Sequence, residues 1–181
     1  CSSDLWESTW TTNLGLHFGF WNRLNVDFEL YNKKTSDMLM QVPLSYAQSN
    51  GYGYQWDNVG AMVNQGFEVS LGADAISTKD FMWNINANAS YNHNEITELY
   101  NGLDEYEMSN TSTKLVVGHS IGEFYINRFA GVNPANGDAL WYDKDGNVTN
   151  VFSEEDKVLV GKNYNAPWQG GFGTSMNYKG I

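Results

Sequence analysis

The stretch Phe81 to Asn92, FMWNINANASYN, constrains this chain more than any other. Its odd positions are Phe81, Trp83, Ile85, Ala87, Ala89 and Tyr91, all apolar or aromatic. After Met82 its even positions are Asn84, Asn86, Asn88, Ser90 and Asn92, all small and polar. A period of two predicts a β-strand whose side chains alternate between two faces. The run is about twice the usual strand length, whereas a strand tilted through a bilayer needs about 9–11 residues. Rings close both ends of the apolar face with small aliphatics between them, the girdle pattern of an outer-membrane barrel. Trp83 to Tyr91 is roughly 26 Å along a strand. At a tilt of about 40° that is roughly 20 Å of height, close to the apolar band of about 25 Å. A long strand of a soluble β-sandwich is the competing expectation.

The same alternation recurs. From Thr9 to Phe20, Trp10, Thr12, Leu14, Leu16, Phe18 and Phe20 oppose Thr11, Asn13, Gly15, His17 and Gly19. His17 falls on the polar face, as a lumen or solvent residue rather than a metal ligand. A tight turn at Trp21-Asn22-Arg23 leads to Leu24, Val26, Phe28 and Leu30, alternating with Asn25, Asp27, Glu29 and Tyr31, so the two runs predict a hairpin. Gly66 to Ala75 sets Phe67, Val69, Leu71 and Ala73 against Glu68, Ser70, Gly72 and Asp74. A short turn then enters the strand at Phe81. Gly170 to Tyr178 alternates Phe172, Thr174, Met176 and Tyr178 with Gly171, Gly173, Ser175 and Asn177. The expected fold is all-β, with about five long antiparallel strands forming part of a transmembrane barrel.

Two segments break the pattern and read as long external loops, about 33–62 and 94–167. The first holds Met38 to Val42 and the patch GYGYQW. Tyr46, Tyr52, Tyr54 and Trp56 there suit either stacking on sugar rings or capping the barrel rim. The second contains GHSIGEFYINRFAGV and the turn-rich WYDKDGNVT. Asp143 and Asp145 open a sequence like half a calcium loop, but Asn147 follows Gly146 where the motif has its ligand before the glycine, so an Asp-Gly hairpin turn is expected. No metal or cofactor site is expected. Short turns on one side and long loops on the other match the asymmetry of bacterial outer-membrane barrels.

Composition narrows the function classes. The net charge of -11 argues against nucleic acid as a partner. A single cysteine excludes a disulfide framework. The mean hydropathy of -0.47 would suggest a soluble protein, but half of each barrel strand faces water. No nucleophile elbow, HExxH or His with an acid partner suggests an enzyme. Cys1 to Leu5 (CSSDL) reads as a non-native leader, 6–181 as part of one barrel domain, and the whole as an internal fragment.

YNKKTSDML, NVGAMVNQGFEVSLGAD, FMWNINANASYNHNEITELY, GHSIGEFYINRFAGVNPANGD and APWQGGFGTSMNYKG occur in this order. From Trp6 onward the chain resembles TonB-dependent outer-membrane transporters of the SusC/RagA class. One departure is Ile126-Asn127, where many relatives have Gly-Tyr. The resemblance implies the later part of a barrel of about 22 strands around a plug; the plug, the TonB box and most of the wall lie outside this stretch. It also implies uptake of oligosaccharides or peptides with a SusD-like surface lipoprotein, energised through the TonB complex. The rival function is a soluble or surface-anchored β-sandwich that binds carbohydrate.

On the barrel reading, Trp10, Leu14, Leu16, Phe18, Phe67, Val69, Leu71, Phe81, Trp83, Ile85 and Tyr91 are expected to face outer-membrane lipid. Asn13, His17, Asn84, Asn86 and Asn88 are expected to face the lumen, in contact with plug, water or a neutral polar solute. Tyr52, Tyr54, Trp56, Tyr125 and Trp141 are candidates for external contact with substrate or partner. Strand parity makes Asn94 to Pro167 one folded external loop, in which Phe124 to Ala130 and Trp141 to Thr149 pair locally.

Overall fold

The computed structural model describes residues 6–43, 54–58, 60–107 and 112–180. In chain order the strands are β1 (Ser8–Phe20), β2 (Leu24–Ser36), β3 (Leu39–Pro43), β4 (Tyr54–Asn58), β5 (Ala61–Ser77), β6 (Phe81–Glu98) and β7 (Glu105–Glu107). They continue with β8 (Lys114–Val116), β9 (Glu123–Ile126), β10 (Arg128–Val132), β11 (Ala139–Tyr142), β12 (Val148–Thr149), β13 (Val158–Asn163) and β14 (Trp168–Tyr178). The chain divides into two units, one of 1–95 with 166–181 and one of 96–165.

The first unit is built on a five-stranded sheet in the order β1-β2-β5-β6-β14. Its strands are antiparallel and long, with 13 residues each in β1 and β2, 17 in β5, 18 in β6 and 11 in β14. Among the described residues of this unit no second layer covers this sheet. All thirteen residues of β1 are exposed, and among the described residues the only buried apolar side chains are Val42, Ile96, Leu99 and Leu115. A soluble domain of this length buries a continuous core between layers, so the sandwich expectation fails and the partial barrel stands.

Two-residue patterning explains the wall, but the strands outrun it. β5 begins at Ala61, five residues before the alternation at Gly66, and β6 continues past Asn92 to Glu98. The first long loop is correspondingly shorter than 33–62 and carries the β3–β4 hairpin, where Met40 opposes Asp57. Residues 44–53, with Tyr46 and Tyr52, lie outside the described residues, as do residues 1–5, on which the expectation of a leader falls.

β14 pairs directly with β6, from Trp168 opposite Tyr91 to Tyr178 opposite Phe81. None of β7 to β13 joins the five-stranded sheet. In the second unit Phe124 to Ala130 is not one strand as the sequence suggests. It breaks at Asn127, whose side-chain amide donates to the Ser153 carbonyl (2.6 Å). β9 then pairs with the distant β13, and β10 pairs with β11, which turns back into β12.

Several residues of the motif GHSIGEF have a local structural reason. Gly118 and Gly122 both take left-handed backbone, at φ 83° and 84°. A Cβ on Gly122 would also come within 2.6 Å of Tyr164 Cζ. Glu123 is buried, and its two carboxylate oxygens accept from the Gly161 amide (2.9 Å) and contact His119 Nδ1 (2.9 Å). Asn163 donates to Ser120 Oγ (2.8 Å) and to the Ile121 carbonyl (2.7 Å), closing the turn. The buried carboxylate is therefore a structural pin, satisfied on both oxygens.

Candidate functional site

Register assembles the alternating residues into two surfaces. Leu14 opposes Leu30, Leu16 opposes Phe28 and Phe18 opposes Val26; Phe28 in turn opposes Val69, Leu30 opposes Phe67 and Val26 opposes Leu71. At the far edge Tyr91 opposes Trp168, Ala87 opposes Phe172 and Trp83 opposes Met176. Phe67 and Tyr91 bring β5 and β6 onto the same surface, with ring centroids 5.9 Å apart. One apolar face thus runs across all five strands. Phe172 is 73% exposed and Leu14 54%, so nothing among the described residues of this unit covers it.

Aromatic rings concentrate at two levels of that face. Phe28, Phe67, Tyr91 and Trp168 form one row, with Tyr91 and Trp168 4.8 Å apart and Phe28 and Phe67 6.3 Å apart. Phe81, Trp83 and Tyr178 lie near the other end, beside the β5–β6 turn, where Thr78 Oγ1 accepts from the Phe81 amide (3.0 Å). The indole N–H of Trp83 donates to Thr174 Oγ1 (2.7 Å), so the polar atom of this ring is satisfied within the sheet.

The opposite face is polar but uneven. His17 Nδ1 lies 2.6 Å from Asp27 Oδ1, and the Asn84 side chain donates to Asp74. Tyr31 Oη donates to Asn92 Oδ1 (2.9 Å), reaching over Gly66, its own cross-strand partner. Asn94 donates to Asn64 Oδ1 (2.9 Å). The carboxamides of Asn86 and Asn88 have no hydrogen-bond partner among the described residues. They lean over the glycines opposite them: a Cβ on Gly173 would come within 3.1 Å of Asn86 Cγ, and one on Gly171 within 3.4 Å of Asn88 Oδ1. Of the five polar residues singled out from the sequence, His17 and Asn84 are thus engaged, while Asn13, Asn86 and Asn88 present free amides. Sequence reasoning missed the roles of Asp27, Tyr31, Asp74 and Asn92, because only cross-strand register identifies their partners.

The aromatic residues singled out from the sequence fall on separate elements. Trp56 belongs to the first unit and is 52% exposed; the placement of the Tyr54 side chain lies outside the described atoms. Tyr125 sits on β9 under the Lys114 ammonium (4.9 Å to the ring centroid). Trp141 is on a different small sheet, held edge-on between Phe129 (5.5 Å) and Phe152 (5.1 Å). Asp143 behaves as a turn residue. Its carboxylate accepts from the Asn147 amide (2.7 Å) and side chain (3.0 Å), and Gly146 takes φ 90°. These bonds hold the Asp143 carboxyl below the usual range, the Asn147 side chain contributing most. The Asp-Gly turn is the structure found here. Among the described residues no cluster of three acidic, His or Cys side chains could hold a metal.

Five long antiparallel strands with one uncovered apolar face and one polar face define part of a transmembrane β-barrel wall. The chain belongs to the TonB dependent receptor-like β-barrel family, whose family model matches residues 2–180. It is 35% identical to the TonB-dependent receptor SusC of Bacteroides thetaiotaomicron over 172 residues, 87% of this chain and 17% of that protein. It is 27% identical to the TonB-dependent receptor P39 of Formosa agariphila, covering 97% of this chain and 21% of that receptor. Among solved structures, that of the RagAB peptide transporter superposes with a TM-score of 0.86 at 35% identity, over 97% of this chain and 20% of that one. The RagAB peptide importer in its "open-open" state gives 0.87. The chain therefore spans about a fifth of the length of these relatives.

Proposed function

We propose that this chain is a wall segment of an outer-membrane active importer of oligosaccharides or peptides. The observation that carries the reading is the uncovered, girdled apolar face on a sheet with an opposite polar face. Such a surface is stable only against hydrocarbon on one side and a wet interior on the other. Trp10, Leu14, Leu16, Phe18, Phe67, Val69, Leu71, Phe81, Trp83, Ile85 and Tyr91 face lipid. Asn13, His17, Asn84, Asn86 and Asn88 face the lumen, where the unpartnered amides of Asn86 and Asn88 offer neutral donors and acceptors. Neutral amides suit sugar hydroxyls and peptide groups alike, so this face does not choose between those solutes.

The region between the end of β6 and the start of β14, residues 99–167, is an external loop region. A SusD-like surface lipoprotein caps the barrel there, and the TonB complex supplies energy through parts of the parent protein beyond this chain. Membership in a family of TonB-dependent receptors and likeness to a peptide importer support that assignment. The test uses the full-length protein in its own cells. Isolation from the outer membrane in mild detergent should bring down a lipoprotein in equal amount, and deletion of the gene should abolish growth on some oligosaccharide or peptide as sole nutrient. Unchanged growth on a broad panel of both, with no lipoprotein recovered, overturns the reading.

A further inference from the structure

The β1–β2 turn carries a residue that its backbone disfavours. Trp21 and Asn22 both adopt φ 53°, and the Arg23 amide donates to the Phe20 carbonyl (3.0 Å). A turn with two left-handed residues selects Gly, Asn or Asp, and a bulky side chain there is an outlier. Of the five non-glycine residues with positive φ among the described residues, the other four are Asn22, Asp37, Asn101 and Lys179; Trp21 alone is large and apolar. Its ring gains little protection in return, being 84% exposed. Strain kept at an exposed side chain points to a contact that lies outside the chain.

The ring's neighbours indicate which contact. Phe18 stacks on Phe20 (6.3 Å between centroids) and Phe20 packs against Trp21 (5.8 Å), so the indole extends the apolar face beyond its last strand residue. Next to it Arg23 is exposed and has no acidic partner among the described residues. An indole has an apolar body and one N–H donor, and it concentrates where hydrocarbon meets headgroups. A guanidinium beside it matches the fork geometry of a phosphate.

We propose that the β1–β2 turn is a lipid anchor: the Trp21 indole sits in the headgroup layer of the phospholipid leaflet on the short-turn side, and Arg23 pairs with a lipid phosphate. The proposal rests on the reading that the apolar face contacts lipid. The test is fluorine NMR of the fluorotryptophan-labelled full-length protein in phospholipid nanodiscs, with the Trp21 resonance identified by its loss in Trp21→Phe. A headgroup-nitroxide lipid should broaden that resonance, and an aqueous gadolinium chelate should leave it sharp. In urea unfolding from phosphatidylethanolamine–phosphatidylglycerol vesicles, Trp21→Gly should lower stability although it frees the backbone. Broadening by the chelate and not the lipid, or a Trp21→Gly variant as stable as the parent, overturns the anchor. A Trp83 resonance untouched by nitroxides at any lipid depth would instead strike the wall reading on which the anchor depends.

Discussion

Substituting Gly66 by Ala isolates what fixes the register of the wall. Gly66 lies opposite Tyr31, whose ring crosses it to reach Asn92 on the far side of β5. A Cβ at Gly66 would fall within 2.6 Å of Tyr31 Cζ and nearer still to the Tyr91 carbonyl oxygen. The tyrosine can swing away, but the carbonyl belongs to the β6 backbone and moves only if the strands part. Overpacking of this kind costs about 1–3 kcal/mol, and loss of the Tyr31–Asn92 hydrogen bond adds about 1 kcal/mol. The sum of about 2–4 kcal/mol lowers the folded-to-unfolded ratio roughly 30- to 700-fold. Gly72 is the control, because it is on the same strand and face with nothing within 4 Å of an added Cβ. Urea unfolding of the full-length protein from vesicles, followed by heat-modifiable gel mobility, should show Gly66→Ala strongly destabilised and Gly72→Ala near the parent. Equal stabilities would refute the claim that backbone approach at Gly66 sets the β5–β6 spacing.

Four further outcomes are expected. Ile85→Arg near the midplane should cost about 2–4 kcal/mol in vesicles while Asn86→Arg is tolerated; equal effects in the same unfolding assay defeat the facing of β6. Thr174→Val leaves the Trp83 N–H without its acceptor and should cost about 1–3 kcal/mol, and that penalty should vanish in a Trp83→Phe background. Single cysteines at Glu105, Asp145 and Glu155, all exposed, should react with an impermeant thiol reagent on intact cells; protection of Asp145 and Glu155 alone means a further pair of membrane strands. Lys114 is a poorer probe position, since its side chain is only 15% exposed and pairs with Glu105 (2.7 Å). The carboxyl of Asp143 is held below its ordinary range, so its bonds to Asn147 persist at neutral pH and fail only as pH drops through that lowered value. NMR of the Asn147 amide should show the loss at acid pH, and Asp143→Asn should remove the pH dependence.

The wall was readable because its side chains alternate between an apolar and a polar face of one sheet. At Phe81 to Tyr91 apolar odd positions and, after Met82, polar even positions separate so strictly that alternation alone identifies the strand and its two surfaces. The strand ends were not readable for the same reason. Beyond Asn92 the strand β6 persists to Glu98, but its side chains no longer alternate between apolar and polar. In the loop region a period of two can mark a strand but cannot name its partner. Nothing around Glu123 to Ile126 points to Val158 as the end of its mate, more than thirty residues away. At the break the Asn127 side chain bonds to the Ser153 carbonyl, a partner equally invisible locally. On the polar face, asparagine spacing revealed the surface, whereas which amides are engaged depended on neighbours that spacing does not name: Asp74 accepts from Asn84 and Tyr31 donates to Asn92, while glycines stand opposite Asn86 and Asn88.

The direct pairing of β6 with β14 has a consequence for descent. A segment that leaves one strand and returns in its immediate neighbour adds no strand to the barrel, so the shear and strand number of the wall are indifferent to what it contains. The 96–165 unit, with its own pinned carboxylate and small sheets, can be lengthened, recombined or exchanged among relatives as a cassette. The lineage can thus try new chemistry in that unit on an unchanged barrel scaffold, with selection acting on the graft and the wall separately.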